Sequence, residues 1–143
     1  MAKAAFIKQS GMHPLSLLDR LTRNFMQEDF ILYQEYRNLD LLLSRMESLS
    51  RRADGGKRPV FVLFAGGDCA FINTLKENSN LLQTISPGEK EQTLVVFQQE
   101  VLEGILGLSP REQAENVIYT EDLAAALQAV DDGQYSFVFL LNE

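Results

Sequence analysis

The sequence predicts an α+β domain in which a mixed, largely antiparallel sheet is packed with helices. Three observations carry this expectation. Val60–Phe64 and Cys69–Leu75 are apolar runs joined by Ala65, Gly66, Gly67 and Asp68, and the glycine pair supplies the positive φ values of a tight hairpin. Between such runs apolar residues recur at helical spacing, as in Leu39, Leu42, Leu43, Met46 and Leu49. The elements then fall in the order helix, strand, helix, hairpin, helix, strand, helix, strand, which lacks the strict alternation of a parallel βαβ sheet. A doubly wound α/β fold is the alternative.

Met1–Gly11 shows no clear period beyond Phe6 and Ile7, so residues 1–13 read as a leader or an added edge strand, and 14–143 as one α+β domain. Pro14 suits a first helical turn, and Leu15, Leu18, Leu21 and Phe25 predict a helix to about Asn24. Phe30–Tyr36, rich in aromatic and branched residues, predicts a strand. Asn38 can cap a helix that runs to Ala53, where Asp54, Gly55 and Gly56 break it. Val60, Val62 and Phe64 alternate with Phe61 and Leu63, both sets apolar, so this strand should be interior to a sheet.

Leu81, Leu82 and Ile85 suggest a short helical turn. Ser86 and Glu89 match a capping box, after which Leu94, Phe97, Val101, Leu102, Ile105 and Leu106 predict one long helix to Gly107. Ser109 and Glu112 repeat the box. Asn116–Tyr119 reads as a strand, Thr120 as the cap of a helix built on Leu123, Ala126, Leu127 and Val130, and Gly133 as its end. Tyr135–Leu141 closes the chain as a buried strand, with Tyr135, Phe137, Phe139 and Leu141 on one face and Val138 and Leu140 on the other.

At 143 residues the chain can bury a continuous core without disulfides or metal. No apolar run approaches the roughly 20 residues that span a bilayer, and the start lacks the apolar block of a secretory signal, so a cytoplasmic protein without a membrane partner is expected. A net charge of −7 opposes binding to nucleic acid or anionic lipid. Arg45, Arg51, Arg52, Lys57 and Arg58 form one basic patch, which a solvated helix end and turn explain. With a single cysteine there is no intrachain disulfide, and with a single histidine no His/Cys metal cluster; no cofactor is expected.

Candidate chemistry is sparse. Gly66 and Gly67 join two strands, and Asp68 would repel phosphate, so they make a turn and not a phosphate loop. Asp54, Lys57 and Arg58 are the candidate ligand-binding residues, of a kind that could hold phosphate, although a polar link from helix to strand uses the same residue types. His13 reads as a surface residue and Cys69 as a small buried thiol. Asp131 and Asp132 sit where acids oppose the helix dipole and read as a solvated turn; Glu89, Glu91, Glu100 and Glu103 read as the wet face of a helix. No catalytic residue is assigned.

One stretch resembles a known family. Glu103–Leu108 (Glu-Gly-Ile-Leu-Gly-Leu), Val117, Ile118 and Tyr119, then Leu123, Ala124 and Val130–Gly133, and finally Phe137–Asn142 (Phe-Val-Phe-Leu-Leu-Asn) are similar to the corresponding part of the DUF1015 family of uncharacterised bacterial proteins. The resemblance covers about the last 50 residues, and the hairpin at Val60–Leu75 corresponds to the strands before them. Gln92, Thr93, Leu94, Phe97 and Gln98 stand where that family carries Leu-Asp-Val and Leu-His, and Glu143 stands where a proline usually follows. Ala53–Arg58 resembles the ends of the family's Ala-Asp-Gly-His-His-Arg signature without its histidines, so no role is carried over. The resemblance implies the middle-to-C-terminal portion of a longer protein.

Together these readings lead to the expectation of a non-catalytic domain that packs against the rest of its parent chain or, as a homo-oligomer, against a second copy. The rival expectation is a contribution to a small-molecule, phosphoryl-transfer site through Asp54, Lys57 and Arg58. A third is recognition of a peptide by strand addition at an exposed sheet edge.

Overall fold

The computed structural model describes residues 2–8, 12–51, 57–76 and 93–142. Among them six strands form one antiparallel sheet: β1 (Ala2–Ile7), β2 (Phe25–Ile31), β3 (Val60–Phe64), β4 (Cys69–Leu75), β5 (Val117–Thr120) and β6 (Val138–Asn142), in the order β2-β4-β3-β6-β1-β5. The helices are α1 (Pro14–Leu21), α2 (Leu39–Ser50), α3 (Thr93–Val96), which continues as a π-helix over Phe97–Ile105, α4 (Pro110–Asn116) and α5 (Leu123–Asp131). The fold is therefore α+β. The expected turn at Leu81–Ile85, the box at Ser86–Glu89 and the break at Asp54–Gly56 lie outside the described residues.

Each sheet face has its own core. On one face Leu17, Leu18 and Leu21 of α1 and Val96, Phe97, Val101 and Leu102 of α3 and its π-helical extension cover Ala5, Phe61, Leu63, Leu75, Phe139 and Leu141. On the other, Leu42 and Met46 of α2 and Leu123, Ala126, Leu127 and Val130 of α5 cover Phe6, Val60, Val62, Phe64, Ile72, Val138 and Leu140. Alternate residues of one strand thus enter opposite cores, which is why Val60–Phe64 is apolar and buried throughout. Phe61 is the hub of the first core, with Phe25 at 5.0 Å and Phe97 and Phe139 each at 5.9 Å in edge-to-face contact.

The hairpin is as the sequence predicts, its turn made by Gly66 and Gly67 at φ 102° and 80°. Ser109 and Glu112 form the expected capping box, and Gly133 follows α5 at φ 82°. Elsewhere the structure differs. Residues 2–7 form a strand bordered on both sides, by β6 and by β5. Helix α1, capped by His13, ends at Leu21, where the chain turns at Thr22–Asn24 to enter β2, and it leaves Leu15 exposed because the face it buries is that of Leu17, Leu18 and Leu21. The strand expected at Phe30–Tyr36 is displaced to Phe25–Ile31, and Gln34–Tyr36 form a 3-10 turn in which Glu35 and Tyr36 take φ 59° and 56°.

Asn38 does not cap α2 through its side chain. Its Oδ1 accepts from the Tyr33 N–H at 2.7 Å while its Nδ2 donates to the Ile31 carbonyl at 2.8 Å. Asp122, not Thr120, caps α5, accepting from the Ala125 N–H at 3.1 Å. Tyr135 belongs to the opposite core from Phe137: it precedes the strand and stacks on Phe6 with ring centroids 4.3 Å apart.

Candidate interaction surface

Of the residues singled out for phosphate, Asp54 lies outside the described residues. Lys57 is exposed and bridges in antiparallel fashion to Arg51. Arg58 is half-buried, and its N–H donates to the Ser50 carbonyl at 2.6 Å. The structure therefore places Lys57 and Arg58 beside Arg51 and Ser50 at the end of α2. Among the described residues no His, Cys, Asp and Glu side chains gather in a group that could hold a metal ion, and no helix is long and apolar enough to cross a membrane.

His13 is exposed, and its Nδ1 accepts from the Leu15 N–H at 3.1 Å, so its role is to cap α1. The Cys69 thiol is half-buried; burial pushes its pKa up and the nearby carboxylates of Asp29 and Asp68 push the same way, the reverse of what activates a nucleophile. Glu103 is exposed as expected. Glu100 is not on a wet face: it is half-buried and accepts from Asn24 Nδ2 at 2.8 Å. Burial raises its pKa against the opposing influence of that hydrogen bond and of Arg23.

The sign for Glu100 follows from linkage. A carboxyl whose folded pKa is raised holds its proton more tightly when folded, so its contribution is fully present below the unfolded pKa and is lost as pH rises through the folded one. Glu100→Gln keeps an oxygen for Asn24 without the charge. It should raise the urea midpoint modestly at neutral pH and leave it unchanged below pH about 4, where the wild-type carboxyl is already neutral. An equal gain at both pH values would assign the effect to something other than the buried charge.

Asp131 is the residue that sequence spacing misses. Its Oδ1 accepts from the Gly67 N–H at 2.9 Å and its Oδ2 accepts from the Tyr36 hydroxyl, so one carboxylate ties the end of α5 to the hairpin turn and to the left-handed turn at Glu35–Tyr36. Burial, then Asp131, pushes the Tyr36 phenol up. An acid in the last turn of a helix opposes the dipole, and that local penalty was the one available sign that the side chain is used elsewhere.

Apart from Leu15 on α1 and Tyr119 on β5, the exposed large apolar side chains among the described residues lie on β2, just after it, or on α2. Met26 and Ile31 of β2, Tyr33 just after it and Leu41 of α2 are all about half exposed, with Met26 at 49% and Tyr33 at 57%. Helix α2 is anchored to the same strand by Arg45, whose Nε and Nη2 donate to Glu28 at 2.7 and 2.6 Å; this pair holds the Glu28 carboxyl below its usual range. The β2 margin therefore carries apolar area that neither core covers, next to the acids Glu28 and Asp29. No protein-family model, curated protein or solved structure matches the chain.

Proposed function

We propose that this chain is a non-catalytic protein-binding domain, of the kind the DUF1015 resemblance implies, which docks against the rest of a longer parent chain or against a second copy through its β2 margin. The observation that carries the reading is the exposed set Met26, Ile31, Tyr33 and Leu41 beside a strand that ends the sheet. Ionisable groups support it from the other direction. His13, Glu28, Arg45 and Asp131 each serve a cap, an ion pair or a tether, which leaves structural rather than chemical work to them. The phosphoryl-transfer reading has no comparable observation in its favour.

Site-specific photocrosslinking tests this reading. The chain is expressed with p-benzoylphenylalanine in place of Tyr33, of Leu41, or of the exposed Gln128 on α5, and irradiated in cells. Protein adducts should form several-fold more at the first two positions than at the third, and mass spectrometry of the adduct distinguishes parent chain, second copy and separate partner. Equal yields at all three, or turnover of a small metabolite by the purified chain, would count against the proposal.

A further inference from the structure

We infer that the outer edge of β2 receives a basic, extended polypeptide segment as a seventh strand. This rests on the protein-binding reading and specifies its mode and its partner chemistry.

The ladder fixes which backbone groups face outward. In the β2–β4 register Phe25 stands opposite Leu75 and Ile31 opposite Cys69. Just beyond the two ends Leu32 N–H donates to the Asp68 carbonyl at 2.7 Å and Lys76 N–H to the Asn24 carbonyl at 2.8 Å. Hydrogen-bonded positions alternate along an antiparallel strand, so the even-numbered residues of β2 turn their N–H and C=O groups to β4 and the odd-numbered ones turn theirs outward. The outward carbonyl of Ile31 is taken by Asn38 Nδ2. The N–H and C=O groups of Gln27 and Asp29 have no partner among the described residues. They present two donors and two acceptors at the spacing an added strand requires.

The other edge of the sheet is a poorer template. Strand β5 has four residues, and the N–H of Val117 already donates to the Gln113 carbonyl of α4.

Charge selects the occupant. A two-fold register centred on Glu28, which Arg45 already pairs, sets Asp29 of each copy diagonally across from the other, and each copy brings a net charge of −7. A segment with a basic residue opposite Asp29, and a second beside it, reverses that sign. Asp29 has no ion-pair partner among the described residues, and Asp68 lies near it across Cys69. Asn38 fills the edge beside Ile31, so the added segment pairs from Phe30 downwards; an apolar residue opposite Met26 would cover a side chain that is now exposed, and one opposite Phe30 would lie against a half-buried ring. Read antiparallel from the position opposite Phe30 to that opposite Met26, the fitting pattern is apolar, basic, basic, polar, apolar.

The probe is a fluorescein-labelled peptide, Thr-Ile-Val-Lys-Lys-Thr-Val-Thr, titrated into the full chain by anisotropy, with a second peptide carrying Glu for Lys. The basic peptide should bind and the acidic one should not. Asp29→Pro removes only an outward N–H and no ladder bond, so it should leave the far-UV circular dichroism intact and weaken binding about tenfold or more. Asp29→Lys should exchange the preference between the two peptides. On the wild type, hydrogen exchange should show the amides of Gln27 and Asp29 protected when the basic peptide is present, a reading that needs no variant to fold.

Failure of the basic peptide to bind, or equal binding of both peptides, overturns the inference. So does binding that survives Asp29→Pro. If photocrosslinks at positions 33 and 41 persist in the Asp29→Pro variant, the domain binds protein through the β2 margin without strand addition. If those crosslinks never form, the protein-binding reading falls with it.

Discussion

Phe61→Ala should lower the free energy of unfolding by about 3–5 kcal/mol, the range for removing a large aromatic side chain from a packed interior. Phe61 is fully buried on β3, near the middle of the sheet, and its ring meets Phe25 of β2, Phe97 of the π-helix and Phe139 of β6. Three elements that are far apart in the chain converge on one side chain. Removing it deletes transfer free energy and also leaves a cavity whose walls are fixed by a paired strand on either side, so the space cannot easily collapse. Domains of this size are stable by only about 5–15 kcal/mol, and the variant should unfold at a far lower urea concentration with an unchanged slope. Leu127→Ala, in the opposite core, should cost about 2–5 kcal/mol and add to the first almost independently, because the sheet separates the two sites. A loss below about 1 kcal/mol at Phe61 would contradict the packing described for the first core.

How far the sequence reveals this fold depends on how strongly each segment states its period. Val60–Phe64 and Cys69–Leu75 are legible because a glycine pair separates two apolar runs, and α5 is legible because its stripe is framed by acids and Gly133. Strand β1 is not: two of its core residues are Ala4 and Ala5, whose small side chains give little contrast with a polar surface, yet they are fully buried between β6 and β5. Strand β2 misleads for a physical reason that bears on function. Gln27, Glu28 and Asp29 are too polar to announce a strand, but an edge strand needs such residues, since charge discourages indiscriminate pairing along an open edge. The aromatic run after it looks like a strand, while Glu35 and Tyr36 are held in left-handed conformations by a turn that Asp131 supports through the Tyr36 hydroxyl, 95 residues away in sequence. No local pattern can encode a tether of that length. The candidate surface was legible only as a category, an exposed edge; which edge it is emerges from the strand order and from the alternation of ladder bonds.

Asn73→Leu is expected to raise the free energy of unfolding by about 1–3 kcal/mol, the reverse of what substitution of a buried residue usually does. Asn73 is fully buried on β4, opposite Gln27 of β2 and Phe61 of β3, on the face that α1 and the π-helix cover. Its Nδ2 donates to the Phe71 carbonyl at 3.2 Å, but its Oδ1 is buried without a hydrogen-bond partner among the described residues. An acceptor withdrawn from water and left unmade costs about 1–3 kcal/mol, whereas leucine branches at the same carbon and offers apolar atoms to an apolar wall. Urea denaturation of the two proteins measures the difference directly. A loss of stability instead of a gain would mean that Oδ1 is satisfied by an ordered water, which leucine would displace without replacing its hydrogen bonds. Because Gln27 is the register neighbour of Asn73 and one of the two open positions on the β2 edge, the same variant reports on the inferred docking mode: strand addition uses backbone groups, so Asn73→Leu should leave binding of the basic peptide unchanged while the unfolding midpoint moves.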